Sequence, residues 1–341
     1  MKCVKIKDKK KLELTTTNEP IADNNHVIIK VSKCGICGSD LHNFELGNPV
    51  GLIMGHEFSG TVIDPGNRTD LKVGDRVTAL PLSPCLNCEA CLNGNIHYCK
   101  ETWTHAVGLS LDYPGALSQK IKLRSDMVIK LDDNITDEEA AMVEPTAVGL
   151  HAVNLADIEI GDKVLIIGGG IIGLVSAMFA KLAGASSITL LETNKNRANK
   201  ALKLEVVDEF VNVADEEEYN NYVKNNMFTF DKTIECCGNS SAVSSALTFA
   251  KPGSSVVLVG VSPTPITIPT VLAVMNELKI IGSIAYTKEE FIRCIELIST
   301  KKIDVLKFLD EIISLEDTQD ACDRLLSNTN NSIKIMVDLN K

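Results

Sequence analysis

The sequence predicts an α/β protein with two domains, a β-rich domain and a domain built on a doubly wound parallel sheet. Three observations support this fold class. The 341 residues are 45% hydrophobic, which is enough to bury a core in each of two domains. Short β-type runs separated by turn residues fill the first part of the chain, and apolar strands alternate with helical patterns after Gly161. We therefore expect residues 1–149 and 286–341 to form the β-rich domain and residues 150–285 to form the second domain.

The β-rich part begins with short runs of β-branched and apolar residues. Gly, Pro, Asn and Asp interrupt these runs, as is typical of an antiparallel, barrel-like sheet. A helix is expected over Thr136–Val153, and it begins with a capping box because Glu139 follows Thr136 by three residues. The strands predicted in this part are His26–Val31, Ser59–Ile63, Arg76–Ala79 and Leu117–Ile121.

The pattern changes at Lys163–Ile167, a continuous apolar strand that is followed by glycines and by an apolar helix over Ile171–Leu182. Strands that alternate with helices predict βαβ units and a parallel sheet. The chain ends with a helical stretch, Glu289–Ser299, and a strand, Ile333–Val337. This tail is too short to be a domain, so we expect it to join the β-rich domain. The other elements predicted here are strands at Ser187–Leu191, Lys232–Glu235, Ser255–Val259 and Lys279–Ile281, and a helix at Ala242–Phe249.

Charge and composition argue against several classes of partner. The formal charge of −11 disfavours nucleic acids and anionic membranes, since both bind basic surfaces. The N-terminal residues MKCVKIKDKK lack the apolar core of a signal peptide. The uncharged run Val164–Ala180 contains a cluster of glycines, which favours a strand, a loop and a helix over a membrane span. Eleven cysteines without an export signal indicate a reducing compartment, so we expect a cytoplasmic protein.

Four cysteines form the strongest motif of the chain. Cys85, Cys88, Cys91 and Cys99 have the spacing C-x2-C-x2-C-x7-C within a lobe over residues 81–101. Four thiolates on one short loop can complete a tetrahedral zinc shell without ligands from distant parts of the fold. Because such a shell has no open position, this zinc is expected to be structural.

A glycine-rich turn follows the first strand of the second domain. The segment GGGIIG fits G-x-G-x-x-G, in which the first glycine allows a tight turn, the second lets the pyrophosphate approach and the third lets helix and strand pack closely. The N–H groups at the helix N-terminus then favour phosphate charge. The residues predicted to contact the dinucleotide here are Gly168, Gly170, Ile171, Ile172 and Gly173.

An acid ends the next predicted strand. Glu192 lies 24 residues after Gly168, where an acid accepts hydrogen bonds from the adenosine ribose and repels a 2′-phosphate. This position predicts NAD rather than NADP. Lys195 and Arg197 follow closely and weaken the preference slightly, and Arg197 is itself expected to contact the cofactor.

A looser set of metal-ligand residue types lies elsewhere in the chain. It comprises Cys37 in CGICGSDLH, His56 and Glu57 in GHEFSG, and Glu144 in EPTAVGLHA. Buried cysteines and hydrogen-bonded histidines are common in protein cores, so these residues alone do not establish a metal site.

Together these segments resemble the zinc-dependent medium-chain dehydrogenase/reductase family. CGICGSDLH, GHEFSG, the four-cysteine lobe, the EP-x-A-VGLHA helix and GGGIIG occur in that family's order and approximate spacing, and the resemblance covers essentially the whole chain. The chain is most similar to the polyol branch, which includes sorbitol, 2,3-butanediol, galactitol-phosphate and threonine dehydrogenases. The resemblance implies a GroES-like catalytic domain interrupted by a Rossmann NAD-binding domain, with the active site in the cleft between them.

The resemblance also implies a second, catalytic zinc with Cys37 and His56 as ligands. Glu144 stands where many alcohol dehydrogenases have a second cysteine, and the polyol branch also uses the acid beside the histidine, here Glu57. Either glutamate is expected as the third ligand, with water in the open position and the other glutamate bound through that water or exchanging with it. A carboxylate in place of a thiolate gives an oxygen-rich site suited to a substrate with two oxygens.

Ser39 and His42 match the proton-relay positions of the family. The resemblance implies that Ser39 takes the proton of the substrate alcohol, which then passes through the cofactor ribose to His42. Hydride moves to the nicotinamide, beside which Val259 and Val261 are expected. Cys34 completes a C-x2-C with Cys37, but the family pattern needs only the second cysteine, so we interpret Cys34 as a packing residue.

The substrate is predicted only as a class. Phe44 and Tyr286 are expected to contact it. Where sorbitol-type enzymes tend to carry an Arg-Tyr pair, this chain has Ala285-Tyr286, which favours a small diol such as 2,3-butanediol, or a secondary alcohol, over a long polyol. A sorbitol-like polyol, galactitol 1-phosphate and L-threonine stay open as alternatives.

Two other functional classes compete with an enzyme. A non-catalytic NAD-binding protein would hold the structural zinc alone, one metal per chain instead of two. A zinc-ribbon module for nucleic acids is disfavoured by the acidic balance and by the shortage of basic residues around the four-cysteine lobe. The family resemblance further implies a homotetramer or homodimer that acts on a small-molecule alcohol.

Overall fold

The computed structural model describes residues 1–327 and 330–341. These residues form two compact units, Met1–Glu144 with Thr287–Lys341 (unit 1) and Pro145–Tyr286 (unit 2). We expected the change of domain after residue 149; the structure divides after Glu144, within the helix Val143–Ala156.

The strands are β1 Lys2–Asp8, β2 Lys11–Thr16, β3 His26–Gly35, β4 Glu57–Asp64, β5 Arg76–Ala79, β6 Lys120–Arg124, β7 Val128–Lys130, β8 Lys163–Ile167, β9 Ser187–Glu192, β10 Glu209–Asn212, β11 Phe230–Glu235, β12 Ala250–Leu258, β13 Lys279–Gly282, β14 Leu309–Ser314 and β15 Lys334–Asp338. The helices are α1 Gly38–Leu46, α2 Glu89–Leu92, α3 Lys100–Thr104, α4 Asp137–Ala141, α5 Val143–Ala156, α6 Ile171–Ala183, α7 Lys195–Lys203, α8 Glu216–Asn226, α9 Ser240–Phe249, α10 Thr270–Met275, α11 Lys288–Ser299 and α12 Thr318–Leu325.

Unit 1 is built on a sheet of strand order β14-β15-β3-β4-β5-β7, with β6 also paired to β3. The C-terminal strand β15 pairs antiparallel with β3, so the tail of the chain lies in the same sheet as its beginning. A core of aliphatic side chains and Phe44 and Phe58 packs within this unit. The sheet brings the ends of β15, β3 and β4 side by side, and this positions the metal-ligand residues described below.

Unit 2 is a parallel sheet of order β10-β9-β8-β11-β12-β13. The chain leaves β8 toward β9 on one side and returns to β11 on the other, so the strand order reverses between β8 and β11. In open α/β sheets, ligands bind outside the carboxyl ends of the strands at such a point. The predicted α/β fold class, with a β-rich domain and a doubly wound parallel sheet, is confirmed.

Most predicted elements are present with small shifts at their ends. The helix expected from Thr136 begins there with a complete capping box to Glu139 and is split into α4 and α5. One strand is displaced: β6 begins at Lys120 rather than Leu117, because Leu117 instead exchanges backbone hydrogen bonds with Met54 and Val4. Another, β12, begins at Ala250 rather than Ser255, since Ala250 pairs with Phe230 before the register shifts.

None of the helices formed by the described residues is both long enough and apolar enough to cross a membrane.

Candidate metal centres and nucleotide site

The four-cysteine lobe brings its thiols together. The sulfur atoms of Cys85, Cys88, Cys91 and Cys99 all lie within 4.8 Å of one another. The Cys85–Cys91 and Cys88–Cys91 sulfurs are 3.9 and 3.5 Å apart. Zinc–sulfur bonds of about 2.3 Å in a tetrahedral shell require sulfurs about 3.8 Å apart, so these residues fit zinc.

The thiols of the lobe differ in pKa in the metal-free protein. Burial and the neighbouring Cys88 raise the pKa of Cys91 to about 12. Burial also acts to raise the pKa of Cys99, but donation from the backbone N–H groups of Cys85 and Glu101 outweighs it and lowers that pKa to about 6. Without a metal the thiols share protons, and four thiolates at this spacing require a bound cation to balance their charge.

Cys37, His56 and Glu57 form a second group whose ligand atoms lie within 4.8 Å of one another. Cys37 lies between β3 and α1, His56 directly precedes β4, and Glu57 begins β4. These segments meet because β3 and β4 are antiparallel neighbours, with Gly35 opposite Glu57. One thiolate, one imidazole and one carboxylate leave one position of a tetrahedral zinc shell open, as catalytic zinc sites do.

Asp40 is a buried acid that contacts the segments carrying Cys37 and His56. Its buried carboxylate accepts hydrogen bonds from the backbone N–H groups of Cys37 (3.0 Å) and Gly55 (3.2 Å), and its Oδ1 lies 3.7 Å from Nδ1 of His56. This separation is too long for a hydrogen bond, so Asp40 acts on His56 through its charge, and Nδ1 of His56 has no hydrogen-bond partner among the described residues. Burial acts to lower the pKa of His56, but the charges of Cys37 and Asp40 outweigh it and raise that pKa well above its usual value.

Ser39 and His42 lie one turn apart on α1. The hydroxyl oxygen of Ser39 is 3.5 Å from Nε2 of His56, which places an alcohol group at the edge of the ligand cluster. His42 is partly buried. The structure therefore brings Ser39 to the metal-ligand group, and the relay role of His42 stays a prediction.

The glycine loop of unit 2 has the geometry expected for dinucleotide binding. Gly168 has a φ of 101°, which favours glycine, and a Cβ on Gly173 would clash with the carbonyl oxygen of Gly168. Helix α6 begins immediately after Gly170 and carries Ile171, Ile172 and Gly173 in its first turn. The N–H groups of that turn are available to a pyrophosphate.

Glu192 closes the loop from the end of β9. Its carboxylate accepts a hydrogen bond from the backbone N–H of Gly169 (2.6 Å), bonds the backbone of Thr193 and Asn194, and pairs with Arg197 at 3.1 Å. Burial acts to raise the pKa of Glu192, but Arg197 and these donors outweigh it and lower that pKa. The glycine loop, Glu192 and Arg197 line a cavity of about 560 Å³, whose wall also includes Cys237 and Tyr219.

Comparison with known proteins agrees with this geometry. Residues 23–133 match the family model of the alcohol dehydrogenase GroES-like domain, and residues 172–300 match the model of the zinc-binding dehydrogenases. A sorbitol dehydrogenase of Bombyx mori is 33% identical over 328 residues, which cover 93% of this chain and 92% of that protein. The chain belongs to the zinc-dependent medium-chain dehydrogenase/reductase family, in its polyol branch.

Two solved structures share the fold over almost their whole length. The 2R,3R-butanediol dehydrogenase of Bacillus subtilis has a TM-score of 0.87 and 27% identity, with 99% of each chain covered. A zinc-binding dehydrogenase of Sinorhizobium meliloti bound to NADP has a TM-score of 0.88 and 26% identity, again with 99% coverage of both chains. This membership supports zinc and a nicotinamide dinucleotide as cofactors of the dehydrogenase.

Of the two candidate glutamates, the structure places Glu57 in the group with Cys37 and His56. Glu144, at the start of α5, is 9% exposed and lies close enough for its charge to raise the pKa values of His56 and Lys334. Which glutamate binds zinc directly stays a prediction.

The expected substrate contacts of the dehydrogenase, Phe44 and Tyr286, are both buried. Phe44 is fully buried in the hydrophobic core of unit 1, where its side chain packs inward from α1, and its substrate role stays a prediction. Tyr286 is also fully buried, and its substrate role stays a prediction. In unit 2, the backbone N–H of Val259 bonds the carbonyl oxygen of Glu235, and Val261 is exposed.

Lys334 is the residue of this site that sequence reasoning missed. It lies in β15, its side chain is 1% exposed, and its ammonium group contacts the carboxylate of Glu57. The signal in the sequence was a single lysine within the apolar run IKIMV, since a charged residue in a buried strand is rare unless it is paired.

Proposed function

We propose that this protein is a zinc- and NAD-dependent dehydrogenase that interconverts a secondary alcohol or small diol, or a polyol, with the corresponding ketone. The observation that carries this proposal is the buried group of Cys37, His56 and Glu57, which offers three ligands and has the hydroxyl of Ser39 beside it. A closed structural site would offer four ligands, as the four-cysteine lobe does.

Zinc at this site supplies Lewis-acid polarisation of the substrate oxygen. The residues of the chain would bind the ion and move the proton. Cys37, His56 and Glu57 would hold the ion, and the negative charge of Asp40, 3.7 Å from Nδ1 of His56, would favour a proton on that nitrogen. Ser39 is positioned to accept the hydroxyl proton at Oγ, and His42 on the same helix is the proposed next acceptor on the way to solvent.

NAD is the proposed dinucleotide. Glu192 places a carboxylate at the loop of Gly168–Gly173, where it repels a 2′-phosphate and can bond ribose hydroxyls. Arg197 is neutralised by Glu192 in this arrangement and so offers little free charge to a phosphate. Because the similar Sinorhizobium meliloti structure is bound to NADP, the test compares turnover with NAD and with NADP.

The proposed substrate is a small diol. The pair Ala285-Tyr286 lacks the arginine expected for a long polyol, and the butanediol dehydrogenase is similar over the whole chain. Because one of the relatives is a sorbitol dehydrogenase, a polyol is the alternative substrate. We further propose that the protein is a homodimer or homotetramer, and light scattering of the purified protein measures its mass. A cytoplasmic location stays a prediction.

The test is NADH formation by zinc-loaded protein with 2,3-butanediol, sorbitol, galactitol 1-phosphate, L-threonine and simple secondary alcohols, together with metal content per chain. We expect two zinc ions and the highest kcat/KM for a small diol with NAD. One metal per chain and no turnover with any substrate would instead indicate a non-catalytic dinucleotide-binding protein. Turnover that is faster with NADP would refute the proposed role of Glu192.

A further inference from the structure

Lys334 is a buried cation in the sheet of unit 1. Its side chain is 1% exposed, and every residue of β15 is buried. The ammonium group donates a hydrogen bond to the carbonyl oxygen of Ile36 at 2.9 Å and contacts Oε2 of Glu57, which is itself 1% exposed. An ammonium group removed from water is costly unless an anion and hydrogen bonds compensate it, so Lys334 depends on Glu57.

Gly35 is the residue that makes room for this pair. It lies on β3, between β15 and β4, opposite Met336 on one side and Glu57 on the other. A Cβ at Gly35 would clash with Oε2 of Glu57 and lie 2.8 Å from Cε of Lys334. Gly35 is not among the positive-φ glycines, so the backbone does not require glycine here. Glycine at position 35 therefore leaves the space in which the side chain of Lys334 crosses β3 and reaches Glu57.

The carboxylate of Glu57 has little besides Lys334 to compensate its charge. Both of its oxygens are buried without a hydrogen-bond partner among residues 1–327 and 330–341, and the ion pair with Lys334 is made at Oε2. Glu57 also belongs to the ligand group of Cys37 and His56. The carboxylate is thus shared between a resident cation, held at Oε2, and the place where a metal ion fits.

We propose that Lys334 is the resident counter-cation of Glu57 and competes with the metal for this carboxylate. Lys334 neutralises Glu57 whenever the carboxylate is not a ligand, so Glu57 can leave the metal without becoming an unpaired buried anion. Lys334 is therefore a positioning residue that keeps the third ligand exchangeable. This inference rests on the proposed ligand set of Cys37, His56 and Glu57.

The sign of the effect follows from electrostatics. In Lys334→Met the carboxylate has lost its partner in the metal-free protein, and metal binding then relieves an unpaired buried charge. Metal binding should become tighter while the metal-free protein becomes less stable. A lysine that merely supports the sheet would produce the opposite pattern for the metal, with affinity lowered or unchanged.

The test uses the full chain with zinc retained in the four-cysteine lobe and Co²⁺ titrated into the other site, followed by its visible absorption. We expect Lys334→Met to bind Co²⁺ more tightly, by about tenfold or more, the scale on which outer-shell partners act. Its absorption spectrum should change because Glu57 becomes a permanent ligand. Lys334→Arg keeps the charge and should retain the wild-type affinity and spectrum.

Gly35→Ala provides a second route that leaves both charges in place. Its methyl group would separate Glu57 from Lys334, so this variant should also bind Co²⁺ more tightly. Gly282→Ala is the matched control, because a Cβ there meets nothing within 4 Å. Gly35→Ala decides the question even where Lys334→Met fails to fold.

Each outcome has one reading. A wild-type chain that takes up no Co²⁺ beyond the lobe zinc would refute the proposed function. If the wild type takes up Co²⁺ but Lys334→Met binds it with unchanged or lower affinity, the role of Lys334 alone is overturned. Where Lys334→Met does not fold, the same result in Gly35→Ala overturns it. Tighter binding without turnover of any alcohol would leave the role of Lys334 in place and refute the reaction.

Discussion

The two metal-ligand groups of unit 1 are built in different ways. The four-cysteine lobe takes all its ligands from residues 85–99, and its sulfurs contact one another. The group of Cys37, His56 and Glu57 is assembled from separate segments, and one of its members is also paired with Lys334 from the last strand of the chain.

We infer that one group stabilises the fold and that the other carries the reaction. A closed set of four identical ligands holds a metal permanently and fastens a loop. A set of three ligands, one of them paired with a buried cation, would leave an open position and, with the proposed role of Lys334, an exchangeable one. In the proposed function, zinc would therefore be structural in the four-cysteine lobe and catalytic in the group of Cys37, His56 and Glu57.

The largest expected effect comes from Cys37→Ser. Loss of a direct ligand should lower kcat/KM by at least about 100-fold, because even outer-shell partners of a metal site contribute about 10- to 100-fold. Metal content should fall from two equivalents to one with little change in Tm. Cys34→Ala is the matched control, since Cys34 is buried beside the site and is interpreted as packing; it should keep two metals. Retention of both metals by Cys37→Ser would break the comparison.

Cys88→Ser should show the reverse pattern. Loss of a lobe ligand removes the structural metal and should lower the free energy of unfolding by about 2 kcal/mol or more, hence Tm by about 4 °C or more. Turnover per folded, correctly assembled molecule should stay near wild type. Thermal unfolding and single-turnover assays on the same preparation measure both quantities, and lost turnover in fully folded protein would contradict a structural role.

Glu192→Ala tests the nucleotide site, which is intermediate between the two groups. Its partners Thr193, Asn194 and Arg197 are local, but Gly169 lies on another turn. The change removes the anion that repels a 2′-phosphate and frees Arg197, so kcat/KM should fall with NAD and rise with NADP, shifting the ratio by about tenfold, or about 1.4 kcal/mol. Unchanged discrimination between the two dinucleotides would count against the ribose role of Glu192.

The smallest expected effect is a pH dependence of stability at Glu192. Although burial opposes it, Arg197 and the backbone donors hold the pKa of this carboxyl below its usual 4.5. A carboxyl with a depressed folded-state pKa stabilises the fold above the unfolded-state value and loses that contribution as the pH falls through its folded-state pKa. The stability advantage of wild type over Glu192→Gln should therefore be present at neutral pH and shrink in acid below pH 4.5. An advantage that does not change with pH would indicate that the charge of Glu192 is not what matters.

Much of the fold could be predicted because its signals are local. The capping box at Thr136 and the apolar strand Lys163–Ile167 depend on neighbours in the chain, and both are confirmed. Leu117 was misplaced because its partners, Met54 and Val4, are distant in sequence. The burial of Phe44 was not predictable for a related reason: its spacing from Ser39 and His42 does not reveal which face of α1 is buried.

The sequence by itself determined the four-cysteine lobe and the glycine turn, since in both the chemistry lies within one short segment whose spacing restricts its geometry. Only the tertiary structure decided which side chains share the ligand group of Cys37. The pairing of β15, β3 and β4 brings Lys334 across Gly35 to Glu57, although Glu57 and Lys334 are 277 positions apart in the sequence. Such a contact is fixed by strand order and burial, which a linear spacing does not contain.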